Sequence, residues 1–291
     1  MADRSLATLL TGGSFFEGPR WHEGAWWVSD FYRHRVIRVT PDGTESLVVT
    51  VDAQPSGLGW LPDGSLVISS MTDQKILRFA GGELSVLADI SEHCGGWVND
   101  LIVDASGHIY AGNFGFDFMN SAPPAPANLV RVDPDGSSCV AAEGFDFPNG
   151  CVILQDDKTL LVGETMGRRY TAFTIAPDGT LTDRRVWAQF GSTSGDDATV
   201  WPDGCTLDAE GHVWCADARG GRVVRISPEG TIVDRVAMPT GLGVFACALG
   251  GEDGRTLLMC CAPDSSPKNR SASHEAVLLT TAVGVGHAGR P

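Results

Sequence analysis

Four positions along the chain carry side chains whose oxygens could bind a hard divalent cation. They are Glu17, Asn99, Asn149 and Asp203, and each is followed by a glycine or an aspartate. Two carboxylates would balance the charge of a 2+ ion, and carboxamide oxygens would fill further coordination positions without adding repulsion. We take Glu17, Asn149 and Asp203 as the predicted metal ligands, with Asn99 beside them as a direct or water-mediated ligand.

Each of these dipeptides would by itself be an ordinary turn sequence. Asn149-Gly150 and Asp203-Gly204, for example, are typical of tight turns in many folds. The four residues can bind one ion together only if a repeat places them at equivalent positions of successive structural units.

The chain contains six copies of a unit that begins with a glycine-type turn. A short apolar run follows each turn, and a second strand-like run, such as Val36-Ile-Arg-Val, follows the first. Runs of four to seven β-branched and aromatic residues between turn signals, without a 3.6-residue period, predict an all-β chain. The six turns stand at Gly24, Gly64, Gly107, Lys158, Gly211 and Gly254.

Units of about 40 to 55 residues, each with room for about four strands, match the blades of a six-bladed β-propeller. We predict a single domain of this fold over residues 1–291, with a pair of β-sandwiches as the alternative. The innermost strand of every blade of a propeller lines the central axis, so residues at equivalent positions of the blades converge on that axis. We therefore predict a metal site at the mouth of the axial channel. The equivalent oxygen-bearing residues are Glu17, Ser56, Asn99, Asn149, Asp203 and Thr240.

Three other segments have predicted places in this ring. The N-terminal run Leu6 to Leu10 is predicted to form the outer strand of the sixth blade and so to close the ring. Residues 265–273 interrupt the sixth blade and are expected to form a mobile hairpin loop, and residues 284–291 a frayed tail.

The chain of 291 residues carries 36 Asp and Glu against 21 Lys and Arg, a formal net charge of −15. Such a surface repels phosphate backbones and anionic lipids, so we expect no nucleic-acid and no membrane partner. Apolar runs fall short of the ~18 residues of a membrane span, and Leu6 to Leu10 is too short for a secretory signal, so a cytoplasmic location is predicted. The eight cysteines include no Cys-x-x-Cys pair and are expected to be reduced and buried.

The sequence lacks the motifs of several other catalytic classes. It has no Gly-x-Ser-x-Gly, no His-Glu-x-x-His, no Gly-x-x-x-x-Gly-Lys and no dinucleotide-binding glycine pattern. His108 and His212 occupy equivalent turn positions and are expected to be structural. A cation with an open coordination position would favour ester-type hydrolysis instead, because it polarises a carbonyl and activates water.

Several segments resemble the SMP-30/gluconolactonase/regucalcin-like (LRE) family over nearly the whole chain, most specifically at residues 201–226. The resemblance implies a six-bladed calcium-dependent propeller whose ligands match Glu17, Asn149 and Asp203, with a substrate-contacting asparagine at Asn99. It also implies hydrolysis, mostly of sugar lactones, with Ca²⁺ as the first candidate ion and Zn²⁺, Mn²⁺, Mg²⁺ or Fe²⁺ as alternatives. The matching segments are Phe16-Glu-Gly-Pro-Arg-Trp, Pro55-Ser-Gly-Leu, Val98-Asn-Asp, Phe147-Pro-Asn-Gly and Trp201-Pro-Asp-Gly-Cys-Thr-Leu-Asp.

One position departs from the family pattern. Family members that open sugar lactones have an arginine two residues before the asparagine of the Asn-Asp motif, and this chain has Trp97 there. We therefore expect a less polar pocket and predict Trp97 as a substrate-binding wall, with a plain core position as the alternative. A lid over the same mouth is predicted from Phe114, Phe116, Phe118 and Met119, which could instead pack on one another.

Together these expectations predict a divalent-cation-dependent lactonase that acts on a sugar lactone or a less polar lactone or ester. The protein would be a monomer or small homo-oligomer. Asp203 would act as general base toward water or as a direct nucleophile, and Asn99 would orient the substrate. A phosphotriester hydrolase, a non-catalytic calcium-binding propeller and a propeller for condensation or carbon-skeleton chemistry are the alternatives.

Overall fold

The protein is described by a computed structural model that covers residues 4–191 and 199–288. These residues form six four-stranded antiparallel sheets. Each sheet is one blade, and the innermost strands of neighbouring blades contact one another around a ring. The six-bladed β-propeller predicted from the repeat is therefore confirmed.

The strands are numbered along the chain, and β1 spans Ala7–Gly13. Blades one and two contain β2 Phe16–His22, β3 Ala25–Asp30, β4 Arg35–Val39, β5 Glu45–Thr50, β6 Pro55–Trp60, β7 Leu66–Ser70, β8 Lys75–Ala80 and β9 Glu83–Asp89. Blades three and four contain β10 Val98–Val103, β11 Ile109–Asn113, β12 Ala127–Val132, β13 Ser138–Phe145, β14 Pro148–Ile153, β15 Thr159–Glu164, β16 Arg169–Ile175 and β17 Leu181–Gln189. Blades five and six contain β18 Pro202–Leu207, β19 Val213–Asp217, β20 Arg222–Ile226, β21 Ile232–Ala237, β22 Gly243–Gly250, β23 Thr256–Ala262 and β24 Ala276–Ala282.

Strand β1 closes the ring, because it pairs with β24 as the outermost strand of blade six. The first and last strands of the chain thus share one sheet. This confirms the prediction for Leu6 to Leu10, although the strand begins at Ala7 and continues to Gly13.

Helices are short and lie in the connections. Three 3₁₀ turns and one α-helical turn occur in the described residues, at Phe31–Arg33, Ser91–His93, Phe118–Asn120 and Pro267–Arg270. In the described parts of the chain, none of them has the length and apolar character to cross a membrane.

Two segments are more ordered than the sequence suggests. Residues 265–273 contain the helical turn, and Arg270 is buried there and forms ion pairs with Asp264 and Glu275. Near the C-terminus, His287 forms a β-bridge with Asp208. Residues 265–273 form the predicted hairpin loop, because the strands on either side of it, β23 and β24, pair antiparallel; its expected mobility stays a prediction. The expected tail is wrong over 284–288, and residues 289–291 lie outside the described residues.

The apolar core lies between the blades, where neighbouring sheets face each other. Strand β7 illustrates this, since all five of its residues are buried. All eight cysteines are free, and six of them are buried in this core. Burial raises the pKa of the Cys205 thiol to about 12, so this sulfur is held as an uncharged apolar group.

Candidate functional site

The innermost strands of blades one to five break their pairing at or directly after the residue that the repeat predicts, and the innermost strand of blade six breaks its pairing at Phe245. In β18, Pro202 pairs with Asp217 and Cys205 pairs with Cys215, so the two residues between them face a single residue of β19. A β-bulge of this kind bends the strand and re-aims a side chain. The repeated bulge therefore directs one side chain per blade toward the axis.

Four predicted residues line one cavity at the end of the channel where the innermost strands begin. The cavity has a volume of about 260 Å³, and its lining includes Glu17, Asn99, Asn149 and Asp203. Asn99, Asn149 and Asp203 are buried, and Glu17 is partly buried. The structure thus brings together all of the residues that the repeat selected for cation and substrate binding except Trp97.

Blades two and six contribute differently to this ring. Ser56 is not among the residues that line the cavity, and its carbonyl oxygen accepts a hydrogen bond from Ser29 Oγ at 2.6 Å. The equivalence proposed for Thr240 is wrong, because Thr240 is exposed and precedes β22. Phe245 stands at the bulge of blade six and lines the cavity. Blade six therefore presents an aromatic ring where its neighbours present oxygen.

The glycine that follows Asn149 is required by the close approach of two blades. A Cβ atom at Gly150 would lie 2.5 Å from the Asp203 carbonyl oxygen and 2.9 Å from Gly204 Cα. Any side chain at this position would therefore push β14 away from β18 and separate Asn149 from Asp203. The Asn-Gly dipeptide is a packing requirement of the site as well as a turn sequence.

Hydrogen bonds hold both carboxamides in place. Asn149 Nδ2 donates to Thr165 Oγ1 at 3.1 Å, and Thr165 Oγ1 donates to the Pro202 carbonyl oxygen at 2.6 Å. Asn99 Nδ2 donates to the Pro148 carbonyl oxygen at 3.5 Å. Because the amide nitrogens make these bonds, the amide oxygens are the groups left to coordinate a cation.

At the cavity floor Asp203 is buried and Glu17 is partly buried, and neither has a cationic side chain at ion-pair distance among the described residues. Each accepts a hydrogen bond from the backbone N–H of the glycine that follows it. Burial raises the pKa of Glu17 well above its usual value, and the charges of Asp203 and Asp100 raise it further. Burial also raises the pKa of Asp203 to about 8. A cation between the two carboxylates would favour their charged forms and remove the repulsion.

The donor chemistry of this set fits a hard cation. Among residues 4–191 and 199–288, no three His, Cys, Asp or Glu side chains group together as a metal site. The candidate centre consists instead of two carboxylates and two carboxamides, which are donor types found at Ca²⁺ sites. Zinc sites mostly contain nitrogen and sulfur donors, so this set suits calcium better.

A third carboxylate near the cavity, that of Asp100, is already neutralised by an arginine. Arg20 Nη2 donates to Asp100 Oδ1 at 2.9 Å and to the Leu101 carbonyl oxygen at 2.9 Å. Both side chains of the ion pair are less than 10% exposed. The charge that a cation would have to balance is therefore that of Glu17 and Asp203.

Sequence reasoning missed three further buried carboxylates, each of which ends the second strand of a blade. Asp217, at the end of β19, accepts hydrogen bonds from Arg222 Nε at 3.1 Å and from the Trp201 backbone N–H at 3.1 Å. The equivalent acids also pair with the arginine five residues later. We call these pairs the arginine clamps: Asp30–Arg35, Glu164–Arg169 and Asp217–Arg222.

The arginine clamps hold the segments that lead into the innermost strands. Asp30 Oδ1 accepts the backbone N–H of Ser14 at 3.0 Å, and Glu164 Oε2 accepts that of Asp146 at 2.8 Å. The three clamped blades, one, four and five, are also the blades that carry the predicted metal ligands. An acid at a strand end with an arginine five residues later, repeated in phase, is the sequence signal that could have identified them.

Aromatic side chains form most of the remaining cavity wall. The rings of Phe114 and Phe147 stack with centroids 4.6 Å apart, and Phe118 meets Phe147 edge-on at 5.2 Å. Phe147 has a φ of 66°, a left-handed conformation that a bulky residue keeps only when the surrounding fold holds it there. The other apolar lining residues are Phe15, Phe31, Tyr32, Met119, Met166, Trp201, Ala218 and Phe245.

The predicted lid and the predicted tryptophan wall are placed differently. Phe114, Phe118 and Met119 line the cavity, whereas Phe116 is buried outside its lining. Trp97 is also outside the lining and stacks on Phe114 with ring centroids 6.4 Å apart. Trp97 therefore lies in a second layer that supports the aromatic wall.

Comparison with known proteins places the chain in a family. The model of the family described as SMP-30/Gluconolactonase/LRE-like region matches residues 15–262. Pentonolactonase XacC from Haloferax volcanii is 30% identical over 243 residues, which cover 81% of this chain and 78% of that protein. A gluconolactonase structure from Xanthomonas campestris is 25% identical with a TM-score of 0.75, covering 97% of this chain and 91% of that chain. A regucalcin structure from Agrobacterium tumefaciens is 20% identical with a TM-score of 0.80, covering 100% of this chain and 99% of that chain. This chain belongs to the SMP-30/gluconolactonase/LRE-like family.

Proposed function

We propose that this protein is a divalent-cation-dependent lactonase that hydrolyses a small lactone or ester, with Ca²⁺ as its cation. The observation that carries the proposal is the single cavity lined by Glu17, Asn99, Asn149 and Asp203. The names of two relatives, a pentonolactonase and a gluconolactonase, support the same reaction class.

Glu17, Asn149 and Asp203 would hold the cation from three different blades. When bound, the cation would supply a Lewis acid that polarises the lactone carbonyl and stabilises the charge that develops on its oxygen. Asn99, in the same cavity, orients the lactone by a hydrogen bond from its amide. The aromatic wall excludes bulk water from the reacting groups, which strengthens the electrostatic interactions among them.

Asp203 has one of two roles in this proposal. As general base it takes a proton from water while the water oxygen bonds to the carbonyl carbon; the ring C–O bond then breaks and the proton passes to the leaving oxygen. As nucleophile its carboxylate oxygen would bond to the carbonyl carbon while the ring C–O bond breaks, giving a mixed anhydride and a ring-opened alkoxide that takes a proton from water. A water molecule would then hydrolyse the anhydride and restore the carboxylate. A carboxylate beside a cation is a weak base, so most of the rate enhancement comes from charge stabilisation.

The test is release of acid from a panel of lactones by protein treated with chelator and then resupplied with Ca²⁺. We expect ring opening that chelation abolishes and the ion restores. Asp203→Asn should cut turnover far more than it weakens folding. Asp234→Asn is the matched control, because Asp234 pairs with Arg4 outside the cavity lining and should leave turnover unchanged.

Three outcomes would contradict the proposal. Binding of Ca²⁺ without opening of any lactone would favour the non-catalytic alternative. Faster hydrolysis of a phosphotriester than of every lactone would favour that second class of hydrolase. Unchanged turnover in Asp203→Asn would end the assigned role of this carboxylate.

A further inference from the structure

Beyond the four oxygen-bearing residues at its floor, the cavity lining is mostly apolar. Its other hydrogen-bonding side chains are Tyr32, Thr165, Trp201, Arg219 and Ser265. Of these, Thr165 already bonds Asn149 and the Pro202 carbonyl oxygen, while Tyr32 donates to the Ser265 carbonyl oxygen. Eight of its eighteen lining residues are aromatic, and two are methionines. A sugar lactone would bury several hydroxyl groups against these side chains, and each hydroxyl left without a partner weakens binding by about tenfold. An apolar ring would gain affinity from the same wall, because it removes apolar surface from water.

Three phenylalanine rings pack on one another at the centre of the aromatic wall. Phe114 and Phe147 stack with their planes only 13° apart, while Phe118 lies at 69° to Phe147. Trp97 supports Phe114 from behind at an interplanar angle of 27°.

Arg219 is the cationic residue among those that line the cavity. Its guanidinium carbon lies 4.0 Å from the ring centroid of Trp201, and the side chain is exposed at the mouth. Within the described residues no carboxylate lies at ion-pair distance from Arg219, whereas Arg169 at the same end of the channel pairs with Glu164. In a chain with a net charge of −15, such an arginine is suited to bind an anionic group of a ligand.

We infer that the substrate is a lactone with a flat, apolar aromatic ring and an anionic substituent such as a carboxylate. The lactone group reaches the cavity floor, the ring packs against the aromatic wall, and the anion binds Arg219 at the mouth. This inference rests on the proposed lactonase function, and it assigns Arg219 and the aromatic wall as the groups that determine specificity.

Four lactones test the inference with the calcium-loaded protein. They are 3,4-dihydrocoumarin, the same compound with a carboxylate on its benzene ring, D-glucono-1,5-lactone and D-glucaro-1,4-lactone, which bears a carboxylate. We expect kcat/KM to be at least about tenfold higher for the aromatic lactones than for the sugar lactones. The carboxylate should raise kcat/KM of the aromatic lactone by a further factor of about ten.

Arg219→Gln should abolish the preference for the carboxylate-bearing aromatic lactone over the neutral one. Arg185→Gln is the matched control, since Arg185 is an exposed arginine on β17 that does not line the cavity, and it should keep the preference. Binding of a carboxylated aromatic lactam, which is not hydrolysed, gives a readout independent of turnover. Its dissociation constant should rise by about tenfold in Arg219→Gln and stay the same in Arg185→Gln.

The outcomes separate the two proposals. Faster opening of the sugar lactones than of the aromatic ones would overturn the inference and leave the lactonase function standing. Equal effects of Arg219→Gln and Arg185→Gln on the carboxylate preference and on lactam binding would overturn the assignment of Arg219. Opening of no lactone would overturn the proposed function itself, and with it the inference.

Discussion

Carboxylates of two kinds are withdrawn from solvent in the inner strands of this protein. In the arginine clamps, Asp30, Glu164 and Asp217 are fully buried, and a guanidinium and backbone N–H groups meet the charge of each. At the candidate site, Glu17 and Asp203 have no cationic side chain at ion-pair distance among the described residues. Burial alone therefore does not distinguish a functional acid here. The absence of a cationic partner among the described residues is what marks Glu17 and Asp203 as candidate functional acids.

This difference assigns opposite energetic roles to the two groups. A clamp stabilises the fold because its partners compensate the cost of burying the acid. Without a cation the pair at the cavity floor destabilises the protein. Burial raises the pKa of both acids and the charge of Asp203 raises that of Glu17 further, so the free energy of keeping the carboxyl groups there is unfavourable. If Ca²⁺ binds between the two acids, it should raise the free energy of unfolding. Ion binding and folding stability should therefore be linked at the candidate site and not at the clamps.

The largest expected effect separates the two groups directly. Asp203→Asn should lower the affinity for Ca²⁺ by roughly a thousandfold, since it removes one of two charges that would balance a buried ion. In chelator its free energy of unfolding should not fall, because the repulsion with Glu17 is relieved. Isothermal titration and urea unfolding measure the two quantities. Unchanged affinity would show that the ion binds elsewhere.

The opposite pattern is expected for a clamp. Glu164→Gln should lower the free energy of unfolding by about 3 kcal/mol, because Arg169 loses the charge that its burial depends on. Urea unfolding in chelator gives the value. A loss as small as that of a surface ion pair would contradict the clamp interpretation.

A third prediction uses the cation itself. Ca²⁺ at about a hundred times its dissociation constant should raise the free energy of unfolding by about 2.7 kcal/mol in the wild-type protein. Glu164→Gln should gain nearly as much, and Asp203→Asn should gain nothing at the same free calcium concentration. Denaturation at fixed free calcium makes the comparison, and equal gains in both variants would remove the distinction between the two groups.

The smallest effect is expected at an ion pair that is neither an arginine clamp nor part of the candidate site. Asp234 pairs with Arg4, and both side chains are about a quarter exposed, so water already screens their charges. Asp234→Asn should change the free energy of unfolding by less than about 1 kcal/mol and leave calcium affinity unchanged. A loss as large as that of Glu164→Gln would mean that burial does not set the strength of these pairs.

Residue patterns predicted the ring and most of its floor because a propeller repeats one unit at a fixed phase. Glu17, Asn149 and Asp203 were found as equivalent positions of that unit, and the bulges show why they converge. The pattern failed at blade six. Thr240-Gly241 has the residue types of the repeated dipeptide but precedes β22, whereas Phe245 occupies the bulge. Strand register, which decides between Thr240 and Phe245, depends on cross-strand pairing that short motifs do not contain.

Other features depend on contacts between distant segments. Trp97 occupies a position from which it could have faced the cavity, but Phe114 lies between them. The arginine clamps join a strand end to the start of another strand about sixteen residues earlier, as Asp30 does to Ser14. Such pairings follow from the three-dimensional arrangement of the blade and not from local propensity.

The pairing of β1 with β24 also bears on how the protein is made. The ribosome makes β1 before the 22 strands that separate it from β24, so this edge strand must wait for its partner while all of them are synthesised. Blade six lies between blade five, which carries Asp203, and blade one, which carries Glu17. The two acids can reach their final separation only after blade six is inserted, so the proposed cation site would be complete only once β24 has been made.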